Sequence, residues 1–183
     1  MGNTRARLLH VLRERSLFWG EFQLSAGGTS KYYIDGKRTL MDPEGALLIA
    51  QHLFEMIRNT GANAVGGPSI GADFIVPVVA AWSFQQGCPL DAFVVRKEPK
   101  KHGQRKLIEG NLPDDASAIL VDDVITTGGS VIRAIHAVEE EGGKVLKVLC
   151  LVDRREGGDE NLAAEGIPLE AIFTIDEVLG ISG

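Results

Sequence analysis

The run Ala118-Ile119-Leu120-Val121-Asp122-Asp123-Val124-Ile125-Thr126-Thr127-Gly128-Gly129-Ser130 constrains the fold more than any other stretch of this chain. Four apolar residues in succession suit a strand of a parallel sheet covered on both faces. The strand ends in two carboxylates, passes through a tight loop of Thr and Gly, and enters a helix near Ser130, which reads as its capping residue. A strand, a glycine loop and a helix start together make an anion site. The loop amides and the unpaired donors of the first helical turn converge there, and the helix dipole favours negative charge. Two adjacent acids would repel a bare phosphate. They fit a ligand that also carries ribose hydroxyls or a divalent cation, so a ribose 5-phosphate is the expected occupant. No Gly-Lys-Ser/Thr follows, and the glycines lack the G-x-G-x-x-G spacing, which sets aside the P-loop and the dinucleotide fingerprint.

A chain of 183 residues with 44% hydrophobic content fits one domain with a sizeable core. Nineteen basic against 25 acidic residues give a net charge of −6, which argues against a dedicated nucleic-acid binder. Cys88 and Cys150 form no metal-ligand pattern, and Cys150 lies in a strand-like run, so free thiols are expected. The N-terminus carries no leader pattern, and no apolar run reaches the ~18 residues of a membrane span. A cytoplasmic setting without membrane contact is the expectation.

In chain order, Thr4–Arg15 has the spacing of a short amphipathic helix, and Phe18–Asp35 that of two strands around Gly27-Gly28. Asp42-Pro43-Glu44 is a helix start, with a capping Asp and Pro in the first position; the helix it opens runs to about Asn59. Strand-helix alternation follows. Strands are expected over 62–65, 90–95, 118–123, 145–152 and 169–173, with helices between most of them and a short tail helix. This pattern means an α/β fold, a parallel sheet with helices on both faces, joined by right-handed crossovers. Residues from about 1 to 40 stand apart as a small N-terminal hood on a single domain spanning 1–183. In such sheets ligands bind beyond the carboxyl ends of the strands. The 66–73 loop, the 96–115 connection, the 122–130 loop and Asp153-Arg154 all fall there. His10, His52 and His136 sit on expected helices and read as packing or surface residues.

The connection from Arg96 to Asp115 is long for a compact domain. Seven of its first eleven residues are Arg, Lys or His, in a chain that is acidic as a whole. A cationic lid over a polyphosphate accounts for it, since cations neutralise a pyrophosphate leaving group while closure excludes water.

Ile119 to Ser130 resembles the phosphoribosyl pyrophosphate signature of type I phosphoribosyltransferases. Within that superfamily the chain resembles the orotate phosphoribosyltransferases. The further pieces are Leu24 to Asp35, Gly66-Gly67-Pro68-Ser69-Ile70-Gly71-Ala72-Asp73, Arg96-Lys97 with Lys100 and His102, and Val152-Asp153-Arg154, in family order. The resemblance implies transfer of ribose 5-phosphate from phosphoribosyl pyrophosphate to N1 of orotate, giving orotidine 5′-monophosphate and pyrophosphate in pyrimidine biosynthesis. It implies Mg²⁺, held mainly through substrate and water, and a homodimer. Asp122 and Asp123 would hold the ribose hydroxyls, and Val124, Ile125, Thr126, Thr127, Gly128, Gly129 and Ser130 would cradle the 5′-phosphate. Arg96, Lys97, Lys100 and His102 would contact pyrophosphate, the last two from a lid that reaches the partner subunit's site. Lys100, His102, Asp122 and Asp123 are the implied catalytic set. Thr126 and Arg154 would bind orotate, the guanidinium taking its carboxylate.

The chain departs from some family members at Ser25, where they carry Lys, and at Ile70-Gly71, where they carry Tyr-Lys. Backbone amides of the 69–73 loop are therefore expected to carry more of the pyrophosphate. The aromatic pair beside orotate is here Tyr33-Ile34. A purine phosphoribosyltransferase is the nearest rival, and Arg154 discriminates against it because a purine has no carboxylate. A regulator that senses phosphoribosyl pyrophosphate is a rival of another class, disfavoured by the negative net charge.

Overall fold

The computed structural model of the protein describes residues 2–23, 28–98 and 107–181. Helix α1 (Gly2–Ser16) leads into an antiparallel pair, β1 (Leu17–Gln23) and β2 (Thr29–Ile34). This two-stranded sheet, within the segment expected as the hood, is separate from the main one. A short helix α2 (Gly36–Leu40), unsignalled by any periodicity, connects it to α3 (Pro43–Ile57). The start of α3 is the one the sequence announces. Asp42 Oδ1 accepts hydrogen bonds from the amides of Glu44 and Gly45, both at 3.0 Å, and Pro43 takes the first position, where its missing N–H costs nothing.

The main body follows as β3 (Ala64–Gly66), α4 (Gly71–Gln85), β4 (Asp91–Val95), β5 (Ile108–Gly110), β6 (Ser117–Ile125), α5 (Gly129–Glu140), β7 (Lys144–Asp153), α6 (Gly158–Ala164), β8 (Leu169–Thr174) and α7 (Ile175–Leu179). Its sheet has the order β5-β4-β3-β6-β7-β8. All pairings are parallel except β4 with β5. That antiparallel edge strand corrects the expectation of a purely parallel sheet and of an unstructured 96–115 connection. The chain leaves the carboxyl end of β4 and must return along the same edge. Three residues are too few to print a period-2 pattern.

The alternation of β6 explains why its sequence is apolar throughout. Ile119 and Val121 enter a core shared with α1, α3 and α4, whereas Ala118 and Leu120 enter a second core shared with α5 and α6. Helices thus cover both faces. Cys150 of β7 is fully buried in the second core and Cys88 is exposed, both as free thiols. No helix among the described residues is long and apolar enough to cross a membrane.

The strand order carries the functional geometry. From β3 the chain moves outward to β4, and from β6 it moves outward the other way to β7 and β8. The topological switch therefore lies between β3 and β6, where α/β sheets open a crevice beyond their carboxyl ends. Closing that crevice needs intimate backbone contact. A Cβ at Gly67 would stand 2.1 Å from the Val121 carbonyl oxygen.

Replacing the cap, Asp42→Ala, is expected to lower the unfolding free energy by about 1 kcal/mol. Asp42→Asn should retain most of it. Urea denaturation checks this, and equal losses in both variants would assign the effect to the Arg15–Asp42 ion pair (3.0 Å) instead.

Candidate functional site

Strand alternation places the two carboxylates at the end of β6 in different neighbourhoods. Asp122 follows Leu120 toward the start of α5, where Ser130 Oγ lies 3.5 Å from its Oδ2. Asp123 follows Val121 toward the hood, where Lys37 Nζ lies 3.5 Å from its Oδ2. Both residues are nearly enclosed, at 6% and 8% exposure. Each Oδ1 is engaged by the next amide, Asp123 N–H donating to Asp122 Oδ1 and Val124 N–H to Asp123 Oδ1, both at 2.9 Å. The two Oδ2 atoms are left to the Ser130 hydroxyl and the Lys37 ammonium, each at 3.5 Å.

Burial, and after it the charge of Asp123, push the Asp122 carboxyl up to about 8. Lys37 bridges the pair to the hood, with Asp35 Oδ1 at 2.9 Å on its other side. Burial opposes its charge, but the hydrogen bond to Asp35 and the charge of Asp123 outweigh it, holding Lys37 above the usual lysine value.

The loop after β6 has the shape of an anion cradle. The amides of Thr126, Thr127, Gly128, Gly129 and Ser130 donate to no other group among the described residues. Gly128 adopts φ +77°, a left-handed turn open to glycine, and acts as the N-cap of α5. Ser130 is thus inside the first turn and caps nothing, which corrects its expected role; its hydroxyl is turned to Asp122. Asn161 of α6 fixes the loop from behind, its side-chain amide donating to the Thr127 carbonyl at 2.9 Å.

Across the switch point the 66–73 loop closes the other wall. A Cβ at Gly71 would lie 1.9 Å from Asp122 Oδ1 and 2.7 Å from Asp123 Oδ1. Gly71 is therefore a consequence of the acid pair beside it. The expectation that all amides from 69 to 73 serve the anion is too broad. Ser69 N–H donates to the Val95 carbonyl, Ala72 to Pro68 and Asp73 to Ile70, which narrows the set to Ile70 and Gly71.

Arg96 and Lys97 leave the carboxyl end of β4 and line a cavity of about 280 Å³ together with Ser69, Ser130 and Arg133. Three cations around one pocket suit a polyanion. Arg133, from α5, was not singled out in the sequence, where it reads as an ordinary exposed helix residue. Lys100, His102 and Ser25 lie outside the described residues. A roomier cavity, about 540 Å³, lies apart from these loops among α1, α3, α4 and β8, beside Arg5, His52 and Trp82.

Arg154 follows β7, its amide donating to the Ile125 carbonyl at 2.9 Å, so it stands beside the end of β6. Its guanidinium pairs with Glu156 at 2.7 Å, sits 5.6 Å from the centroid of the Tyr32 ring, and leaves a buried Nε without a partner. Tyr32, not Tyr33, faces the site. Residues 32 and 34 share one side of β2, and Tyr33 points the other way into an aromatic group with Phe18 and Phe22. Lys37, Gly36 and Tyr32 were legible as residues but not as site members, because only the folded hood brings them over β6.

The chain matches the model of the phosphoribosyl transferase domain over residues 49–172. It is 41% identical over 178 residues to the orotate phosphoribosyltransferase of Aquifex aeolicus, covering 96% of this chain and 97% of that one. It superposes on a crystal structure of Mycobacterium tuberculosis orotate phosphoribosyltransferase in complex with Fe(III) dicitrate with a TM-score of 0.84, at 37% identity, covering 96% and 98% of the two chains. A second structure of that enzyme, in complex with 5-phospho-α-D-ribosyl 1-diphosphate, gives a TM-score of 0.79 at 34% identity, covering 96% and 98%.

The raised Asp122 carboxyl sets a pH dependence. Its folded value, about 8, lies above the ordinary 3.8, so the native state binds more protons than the unfolded state in between. Stability of the ligand-free protein should therefore decline as pH rises through that interval, and Asp122→Asn should flatten the decline. Urea midpoints at pH 5 and pH 8 test this; an equal slope in the variant would place the titration elsewhere.

Proposed function

The chain belongs to the orotate phosphoribosyltransferases, within the phosphoribosyl transferase domain family, and from that premise we propose how its site performs the reaction. The enzyme transfers ribose 5-phosphate from phosphoribosyl pyrophosphate to N1 of orotate, yielding orotidine 5′-monophosphate and pyrophosphate, a step of pyrimidine synthesis. The observation that carries the assignment of roles is the row of unengaged amides from Thr126 to Ser130, in the loop that follows the acid pair, with Ser130 Oγ 3.5 Å from Asp122 Oδ2. One surface offers donors to a phosphate and acceptors to a diol, the two ends of a ribose 5-phosphate. The complex of the M. tuberculosis relative with the pyrophosphate donor supports the same ligand here.

The 5′-phosphate rests on the amides from Thr126 to Ser130, with Val124 and Ile125 holding the loop to the sheet. Asp122 and Asp123 accept from the ribose hydroxyls in their ionised form, so sugar binding draws the Asp122 proton off. The cavity edged by Arg96 and Lys97 receives pyrophosphate. Orotate lies against Tyr32 and Thr126, with its carboxylate on Arg154, whose unpartnered Nε marks a donor awaiting an acceptor. As the bond from C1 of the ribose to pyrophosphate breaks and the bond to N1 forms, positive charge grows on the sugar and negative charge on the leaving group. Orotate is already an anionic nucleophile, so charge stabilisation at the leaving group matters more than a base. Lys100 and His102 would supply it from the lid.

Mg²⁺ fits this donor set. Among the described residues no group of three or more His, Cys, Asp or Glu is placed to hold a metal ion. One or two carboxylates with substrate oxygens and water are the usual Mg²⁺ environment. Asp122 and Asp123 are the nearest protein carboxylates to the expected diol, and the ion would neutralise charge on the pyrophosphate. The hood and the α/β body work as one unit, a cytoplasmic homodimer whose 96–110 lid serves the partner's site.

Arg154→Ala should retain binding of phosphoribosyl pyrophosphate and lose most orotate turnover. An ultraviolet assay of orotate consumption with Mg²⁺, run beside uracil, adenine and hypoxanthine, measures it; unchanged orotate kinetics would overturn the assignment. For the shared lid, mixing Lys100→Ala subunits with subunits disabled at Asp122 and Asp123 should restore activity through hybrid sites. No recovery in verified heterodimers would place the lid over its own subunit's site.

A further inference from the structure

We infer that Lys37 of the hood is a binding and positioning residue for the donor sugar: it holds Asp123 in place and pairs with it to clasp one ribose hydroxyl. The inference rests on the reading that the acid pair binds the ribose diol. A sugar hydroxyl has a proton to give and lone pairs to offer. Asp123 Oδ2 can take the first, and Lys37 Nζ, 3.5 Å away, can donate to the second. The Lys37 side chain remains 39% exposed, which leaves a ligand room to approach it.

The surroundings single out Lys37. Its neighbour Arg38 is turned away, lying 4.9 Å over the Phe18 ring. Facing Asp123 are Lys37 from the hood, itself paired with Asp35, Asp122 from its own strand, and the uncharged Gly71 from the start of α4. Ser130 of α5 faces Asp122, Asp73 of α4 is held by the Ser69 hydroxyl, and Asp153 ends the neighbouring strand β7. One ammonium thus stands among several carboxylates. The segment that carries it is also fitted to Asp123, because a Cβ at Gly36 would meet Asp123 Cβ at 2.9 Å and Oδ2 at 3.0 Å. Bulk at residue 36 would lift Lys37 off the pair.

The test is Lys37→Met, which keeps the stem and removes the charge, beside Lys37→Arg. Expected for Lys37→Met is a rise of about tenfold in KM for phosphoribosyl pyrophosphate, the order of one charge-assisted hydrogen bond. KM for orotate should change by less than about twofold. The acid limb of kcat/KM for the pyrophosphate donor should move to higher pH, because the acid pair loses its counter-charge. Lys37→Arg should recover most of both effects. Should Lys37→Met fail to fold, Lys37→Gln takes its place in the same comparison. An unchanged donor KM and acid limb in the folded variant, with an active wild type, would overturn this inference alone. A wild type that neither binds the donor nor consumes orotate would overturn the functional reading with it.

Discussion

Placing two like charges side by side at the enclosed end of a strand is the condition to which the rest of this structure answers. Desolvation and mutual repulsion both disfavour ionisation of such a pair. The following amides fold back onto one oxygen of each carboxylate, which fixes both rotamers and turns the remaining oxygens outward. Gly71 gives up a side chain so that Asp122 can occupy its space, and Gly36 lets the hood approach Asp123. Lys37 and the hydroxyl of Ser130 stand at the free oxygens. Without a sugar in place the arrangement is costly, and it is least costly when Asp122 keeps its proton.

Much of this was written in the local sequence, and for a reason. Ala118 to Val121 can only be a doubly covered strand, and Asp42-Pro43-Glu44 can only open a helix, because each rests on contacts within a few residues. The 126–130 loop was legible on the same grounds. What escaped were facts of parity and of distance along the chain. Which of Tyr32 and Tyr33 approaches Arg154 depends on the register of β2 against β1, which the chain alone does not reveal. Ser130 looked like a cap because serine favours that position, yet Gly128 in the left-handed conformation caps the helix two residues sooner. Edge strand β5 is too short to carry a period of its own. Lys37 is unremarkable until the fold brings it to Asp123, 86 positions further along the chain.

Net charge misleads in a chain of this kind. The molecule as a whole is acidic, yet Arg96, Lys97 and Arg133 gather around one cavity. The helix start adds its own partial positive charge beside them. Local charge at the switch-point loops thus runs against the sign of the global field, which suits the capture of a polyanion there.

The split between the faces of β6 has a consequence for how such an enzyme diversifies. Neighbouring residues of a strand look in opposite directions, so Asp122 answers to the α5 loop and Asp123 to the hood. Substitutions in the N-terminal forty residues meet Asp123 directly, through Gly36 and Lys37, whereas Ser130 and the start of α5 meet Asp122. The hood side of the strand end can therefore change in ways that the α5 side does not share. A two-sided strand end lets two distant parts of the chain be tuned against a single acid pair.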